Sequence, residues 1–417
     1  MKSKNKLISV ESAGGLILAR SLRTARQRAS LTDCLGRILA QDVSADRDYP
    51  PYDRAAMDGI AVRRADLAGN SALHIAGIQA AGQNRQKLPA GPKALEVMTG
   101  AILPAGSDTV IPYEELELQD QRAVVHQKWI DLYSGQPYVN VHRQASDCRK
   151  GDRLIRQGQR IGAVQLSTLA TVGLVRPWIV QPPEFAFLST GDELVDPAEK
   201  PRQHQVRISN VYALRALLKE WSGLPATIHH AADALQPSID QIQSILAACS
   251  WLIICGAVSK GKYDFIPAAL KALGFKTHFH GIQQRPGKPM LFASRGKKLV
   301  FALPGNPVSA MVCFRRYVLP ALASHLPDST PLSRPGAVQL TQPIRFPKQM
   351  QYFPLVTVQP DAKNRLTAAP VAASGSGDLI ALGQSHGFLE LPAHRDQFRA
   401  GSRQAYWPWV PDQGSRQ

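Results

Sequence analysis

Strand-like runs at residues 185–188, 226–230, 251–255, 276–282 and 299–303 alternate with helical runs at 211–221, 238–248, 265–273 and 308–319. No other feature limits the fold as tightly. A strand that is apolar along its length must be covered on both faces, and parallel neighbours need long crossovers, which helices supply. The alternation therefore predicts a doubly wound α/β sheet over residues 181–326. Ligands of such sheets bind outside the carboxyl ends of the strands, so chemistry is sought in the residues that follow each strand.

Those positions read Ser189-Thr190-Gly191-Asp192-Glu193, then Asp233, then Gly256-Ala257-Val258-Ser259-Lys260-Gly261 with Asp264, then Arg285-Pro286-Gly287-Lys288, then Pro304-Gly305-Asn306-Pro307. Glycines let backbone N–H groups approach phosphate oxygens, helix N-termini add partial positive charge, and carboxylates can hold Mg²⁺ against the same phosphates. Each piece also has a plainer reading. Ser209-Asn210 and Asp264 serve equally as helix N-caps, Asp233 as a turn residue, and Pro304 to Pro307 as a strand-to-helix turn. Taken singly, these plainer readings are preferred. Five such loops on one edge, four with Gly and three with carboxylates, favour a site for a small polyanionic, nucleotide-like substrate. Gly256 to Lys262 also spells G-x-x-x-x-G-K, but Tyr263 stands where a P-loop needs Ser or Thr, and Pro267 follows closely. The segment is kept as an anion cradle and the NTPase reading is dropped.

Outside this region the pattern changes. Residues 11–40 show helical spacing, Pro50-Pro51 break it, and residues 60–145 read as short strands between Gly, Pro, Asn and Asp turns. A helix is predicted at 165–170, closed by Gly173, and residues 330–417 carry short strands of a small barrel or sandwich. The formal charge of +17 favours anionic ligands, yet the Lys and Arg residues are scattered, so a basic solvated surface explains them better than nucleic-acid binding. The five cysteines, Cys34, Cys148, Cys249, Cys255 and Cys313, are odd in number and form no C-x-x-C, which points to a reducing cytoplasm. The longest apolar run, 247–258, is too short to span a bilayer, and the N-terminus has no signal-peptide core.

Together with Met57-Asp58-Gly59, Thr99-Gly100-Ala101, Pro286-Gly287-Lys288-Pro289 and Pro304-Gly305-Asn306-Pro307-Val308-Ser309-Ala310, these residues resemble the molybdopterin molybdenumtransferases. This molybdenum insertase family includes the C-terminal region of gephyrin, and the similarity runs along essentially the whole chain. The resemblance implies four domains. These are a split helical and linker domain (1–48 and 146–180), a β-rich insertion (49–145), an α/β molybdopterin-binding domain (181–326) and a C-terminal β-barrel (327–417). It implies insertion of molybdate into adenylylated molybdopterin with release of AMP, in a Mg²⁺-dependent step. The family's essential acids fall on Asp58, Asp147, Asp233 and Asp264, with Glu193, Asp233 and Asp264 set to position Mg²⁺ and the pyrophosphate. Arg285 and Lys288 would draw in oxyanions, and Gly305, Asn306 and Ser309 would offer donors at a helix start. Thr99, Gly191, Ser209, Asn210, Gly256, Ser259 and Gly261 complete the implied substrate-binding set. An elongated homodimer would bring Asp58 and Asp147 of one protomer to the α/β edge of the other. A molybdopterin adenylyltransferase and recipient molybdoenzymes are the implied partners, with neither nucleic acid nor membrane.

The chain departs from the family pattern at several points. Cys255-Gly256-Ala257 replaces Ser-Gly-Gly, Ala145 stands where a Gly precedes the second acid, and His280 to Arg285 lacks a familiar Lys. The stretch Phe346 to Phe353 lacks an expected Arg. All four acids remain. A carrier or scaffold of the same fold is the alternative, though a pure carrier of a polyanion gains nothing from acids that repel it unless a metal is present.

Overall fold

The computed structural model describes residues 7–21, 25–256, 258, 265–323, 325, 332 and 334–411. At its centre is a six-stranded sheet in the order Ala226–Ala231, Phe185–Thr190, Trp251–Cys255, Lys298–Leu303, Leu291–Arg295, Lys276–His280. The first four strands are parallel, and Leu291–Arg295 runs antiparallel to both its neighbours. The sequence pattern predicts five strands here. The sixth, Leu291–Arg295, escapes it because only Gly296-Lys297 separate it from the next strand, and Gly296 at φ +57 makes the reversal.

Alternation within the apolar strands sorts their side chains onto two cores. Phe187, Trp251, Ile253 and Phe301 face one core, built with helices Asn210–Ser222 and Pro307–Cys313. Leu188, Leu252, Ile254 and Val300 face the other, built with helices Leu235–Ala248 and Phe265–Ala272. A period of two can do this only if both faces are covered, which is the doubly wound arrangement.

The N-terminal helix, Val10–Ser21, ends well before residue 40. The spacing of Leu31, Leu35 and Ile38 imitates a helix, but Ser30 accepts from the Asp33 N–H through its hydroxyl and carbonyl, and Gly36 adopts φ +75. Such local side-chain bonds compete with helix formation. Instead Ala25–Arg28 forms a strand against Trp178–Gln181. The helix Ala163–Thr171 does form, and Gly173 closes it at φ +70.

Residues 59–125 build a six-stranded sheet ordered Thr109–Pro112, Gly59–Val62, Lys93–Val97, Ala72–Gln79, Arg122–Val125, Leu116–Gln119. Strands Gly336–Leu340, Leu366–Pro370, Leu355–Pro360, Gly387–Glu390 and Arg403–Pro408 close a barrel. Barrel and α/β sheet are joined by a two-residue parallel ladder of Gln284–Arg285 with Gln351–Tyr352. Beside the joint, Arg315 is fully buried, donates to the Pro408 and Leu332 carbonyls, and stacks 4.0 Å from the Trp221 ring centroid. Burial pulls its guanidinium down to about 9. Arg316 meets Glu390 through two hydrogen bonds of 2.8 and 2.9 Å. Among the described residues, no helix is long and apolar enough to cross a membrane, and all five cysteines are free.

Candidate functional site

The strands Phe185–Thr190 and Trp251–Cys255 are neighbours whose connections leave in opposite directions. The first leads through Asn210–Ser222 to the outer strand Ala226–Ala231, the second through Phe265–Ala272 to the far edge. Diverging crossovers leave a crevice at the carboxyl ends. Its floor is made of glycines. Gly256, at φ +109, lies so close that a Cβ there would sit 2.6 Å from the Thr190 carbonyl oxygen, and a Cβ on Gly305 would be 3.7 Å from the Gly256 Cα. Gly191, at φ +148, ends the first strand.

A cavity of about 900 Å³ opens over this floor, lined by Thr190, Glu193, Ser209, Asn210, Asp233, Gly256, Gly305 and Asn306 among others. Ser209 and Asn306 occupy helix N-cap positions, yet neither side chain makes a capping bond. The Asn210 amide donates to the Gly305 carbonyl at 2.5 Å and the Asn306 amide to Ser376 Oγ at 2.7 Å, so these side chains tie loops together. Asp233 is half-buried; its N–H donates to Asp192 Oδ1 at 3.0 Å. Burial, then the nearby Glu193 and Asp192 carboxylates, push its carboxyl above the usual range. Asp233 Oδ1 and Thr190 Oγ1 are buried with no hydrogen-bond partner among the described residues. Unmatched buried oxygens among like charges are costly, and a bound cation or donor would relieve them.

A second cavity, of about 490 Å³, shares Pro289, Pro304 and Asn306 with the first and lies between the α/β sheet and the barrel. Arg285, Lys288 and Ser309 line it from the α/β side; Lys348, Ser374 and Ser376 line it from the barrel side. Sequence reasoning passed over these last three. One signal was available in Ser374-Gly375-Ser376-Gly377-Asp378, a glycine-serine loop of the kind that presents N–H groups. The loop is held by the Asp378 carboxylate, which accepts from the Ser374 N–H at 2.9 Å, and by the Ser376 carbonyl, which accepts from the Val308 N–H at 3.1 Å.

Asp58 and Asp147 line neither cavity within the chain. Asp58 Oδ1 accepts from the Thr99 N–H and hydroxyl at 2.6 and 2.7 Å, and these bonds hold its carboxyl below the usual range. Asp147 is exposed, its N–H bonded to the Tyr49 carbonyl at 3.0 Å. The loop before it turns through Ala145 at φ +61, a left-handed conformation that suits glycine. Ala145→Gly is accordingly expected to stabilise the protein by about 0.5–1 kcal/mol, read as a higher thermal unfolding midpoint. A lower midpoint would show that the methyl group earns more by packing than the backbone loses.

Asp264, Ser259, Gly261, Ala257 and Lys260 lie outside the described residues. Val258 is described, and its carbonyl accepts from His280 Nε2 at 3.0 Å, so the residue at this departure has a hydrogen-bonding role of its own. Among the described residues no three His, Cys, Asp or Glu side chains gather closely enough to hold a metal ion. Glu193 and Asp233 offer two carboxylates facing one cavity.

Three family models match in order. The MoeA N-terminal region (domains I and II) covers residues 8–173, the probable molybdopterin binding domain 186–324, and the MoeA C-terminal region (domain IV) 337–409. The chain is 36% identical to the molybdopterin molybdenumtransferase of Synechocystis, over 97% of this chain and 100% of that protein. It is 28% identical to the one from Bacillus subtilis, over 91% of each. A crystal structure of the molybdopterin biosynthesis MoeA protein from Pyrococcus horikoshii superposes with a TM-score of 0.82 at 25% identity, covering 98% of this chain and 100% of that one. With near-complete coverage in sequence and structure alike, the chain belongs to the molybdopterin molybdenumtransferase family.

Proposed function

We propose that this chain inserts molybdate into adenylylated molybdopterin and releases AMP, in the cytoplasm, as a Mg²⁺-dependent homodimer. One observation carries the reading: a carboxylate-lined cavity and a cation-lined cavity meet at Asn306 and Pro304. The larger suits a nucleotide-like pterin with its phosphates over the glycine floor, where backbone groups approach closely. The smaller, with Arg285, Lys288 and Lys348 around hydroxyls, suits a compact oxyanion such as molybdate.

The unmatched Asp233 oxygen and its acidic neighbours fit a hard divalent cation. Glu193 and Asp233, with Asp264, would hold Mg²⁺, which when bound supplies charge neutralisation for the phosphates. The protein's own part is positional. Asn210 and Asn306 fix the loops, Lys288 and Arg285 attract the oxyanion, and the deep placement of Asp233 keeps its carboxylate in reach of a cation. Asp58 and Asp147 join this site from the partner protomer in the same reading, which gives a use to two acids that line neither of these cavities within the chain. An adenylyltransferase would supply the substrate and molybdoenzymes would take the product. The domain divisions at residues 48/49, 145/146, 180/181 and 326/327 belong to this proposal.

The test is AMP release from adenylylated molybdopterin by the purified chain. Release that needs both molybdate and Mg²⁺ is the expected result. Tight binding of the substrate without release would instead assign a carrier, and no binding at all would remove the reading.

A further inference from the structure

Gln284 is fully buried, and each polar group of its side chain is matched. Its Nε2 donates to the Pro286 carbonyl at 3.0 Å and to Cys313 Sγ at 3.5 Å, while its Oε1 accepts from the Tyr317 hydroxyl. The Cys313 thiol in turn donates to the Gly287 carbonyl over 3.7 Å. Gly287 takes φ +90, and a Cβ on it would fall 2.5 Å from both Cys313 Sγ and Gln284 Nε2. The turn that carries Arg285 and Lys288 is therefore wrapped around the side chain that begins it, with no room for a substituent between them.

The partners of this amide are informative. Cys313 ends the helix Pro307–Cys313, and Tyr317 lies four residues on, where Phe314–Val318 widens into π-helical geometry. That helix starts at Asn306 and carries Ser309, both on the wall of the smaller cavity. Gln284 thus couples two walls: the turn with the cations and the helix with the hydroxyl and amide donors. Burying an amide requires desolvating it, and an apolar residue of similar length would fill the space without that cost. A fully satisfied buried network instead fixes one geometry.

We propose that Gln284 is a positioning residue of the oxyanion pocket. It holds the Pro286-Gly287 turn against Cys313 and Tyr317, so that Arg285 and Lys288 converge on one anion. It borders the pocket, but its amide is spent on Pro286, Cys313 and Tyr317, so it acts through the turn. The proposal rests on reading that pocket as the molybdate site, and the experiment separates the two.

Sodium molybdate is titrated calorimetrically at low ionic strength into the full chain and three variants. Lys288→Ala tests the pocket and is expected to weaken binding by more than about tenfold. Gln284→Met alone leaves the Tyr317 hydroxyl unpaired, so it is made together with Tyr317→Phe, which removes the orphan and keeps the volume. This pair is expected to keep the unfolding midpoint near that of the parent while the molybdate Kd rises about tenfold, the size usual for lost outer-shell support. Tyr317→Phe alone keeps the Pro286 bond and is expected to stay within about twofold. In turnover, the pair should raise KM for molybdate and leave kcat within about threefold. A folded double variant with unchanged Kd would overturn the positioning role while leaving the pocket intact. Binding unaffected by Lys288→Ala would overturn the pocket and the proposal with it. If the double variant does not fold, Gln284→Glu takes its place. It keeps an acceptor for Tyr317, loses the amide donors to Pro286 and Cys313 and places a carboxyl beside the pocket, so both changes weaken binding and an unchanged Kd refutes the idea.

Discussion

Gly256→Ala is expected to destabilise the protein by about 3–5 kcal/mol, whereas Gly305→Ala, one strand away, should cost less than about 1 kcal/mol. The two glycines face the same cavity and differ in what a methyl group would meet. At Gly256 it would lie 2.6 Å from the Thr190 carbonyl oxygen and 2.7 Å from Thr190 Oγ1, on a backbone at φ +109 that L residues rarely adopt. Thr190 belongs to a fully buried central strand and cannot withdraw. At Gly305 the nearest atom is 3.7 Å away, an ordinary contact, and the backbone is not left-handed. Guanidinium unfolding followed by tryptophan emission compares the two. Equal midpoints would mean that the Gly256 turn can open, and the rigid floor would have to be given up.

The second large effect concerns Asp233. Asp233→Asn is expected to lower turnover by at least about 100-fold and yet to raise the stability of the metal-free protein at neutral pH. The sign follows from proton linkage. Burial and the acidic neighbours raise the carboxyl of folded Asp233 above its ordinary value of 3.8. Between the two values the folded protein holds more protons than the unfolded chain, so stability falls as pH rises through the folded value. Asparagine removes that loss. The variant should therefore match the parent at acid pH, below both values, and exceed it by a margin that grows until the folded value is passed and is constant above it. Mg²⁺ should reverse the order at pH 7 by binding the parent more strongly. Thermal unfolding across pH, with and without Mg²⁺, reads both effects. A variant less stable than the parent at pH 7 without metal would show that Asp233 is a structural acid.

Much of the α/β architecture was legible because buried parallel strands write themselves as apolar runs, and 251–255 could hardly be anything else. The site's floor was legible for a related reason: glycine at a strand end leaves a visible mark. Lys348 carried no such mark. It reaches the cavity only because the barrel docks on the sheet through the ladder of Gln284–Arg285 with Gln351–Tyr352, a contact between residues 67 positions apart. Gln284 was hidden for the opposite reason, since its hydrogen bonds depend on a helix 29 and 33 residues further on. Residues 29–40 misled because apolar spacing alone does not report that Ser30 and Gly36 bend the backbone away from a helix.

The alternation of side chains across the central sheet also decides which parts of the molecule could be separated from it. The face bearing Leu188 and Ile254 is sealed by helices of its own domain. The face bearing Phe187 and Trp251 is not self-sufficient. Its core continues into Val10 and Ile17 of the first helix and into Phe353, Phe388 and Trp407 of the barrel. By contrast, the sheet around Ile60 and Leu73 keeps a core of its own. In mechanical terms the sheet, the first helix and the barrel form one block, and the region around Ile60 and Leu73 is a separable head. Excising the barrel would strip the sheet's wall as well as a pocket lining, whereas residues 55–141, which include the helix Gln127–Gly135 that completes the head's core, could be exchanged for another head without opening the centre.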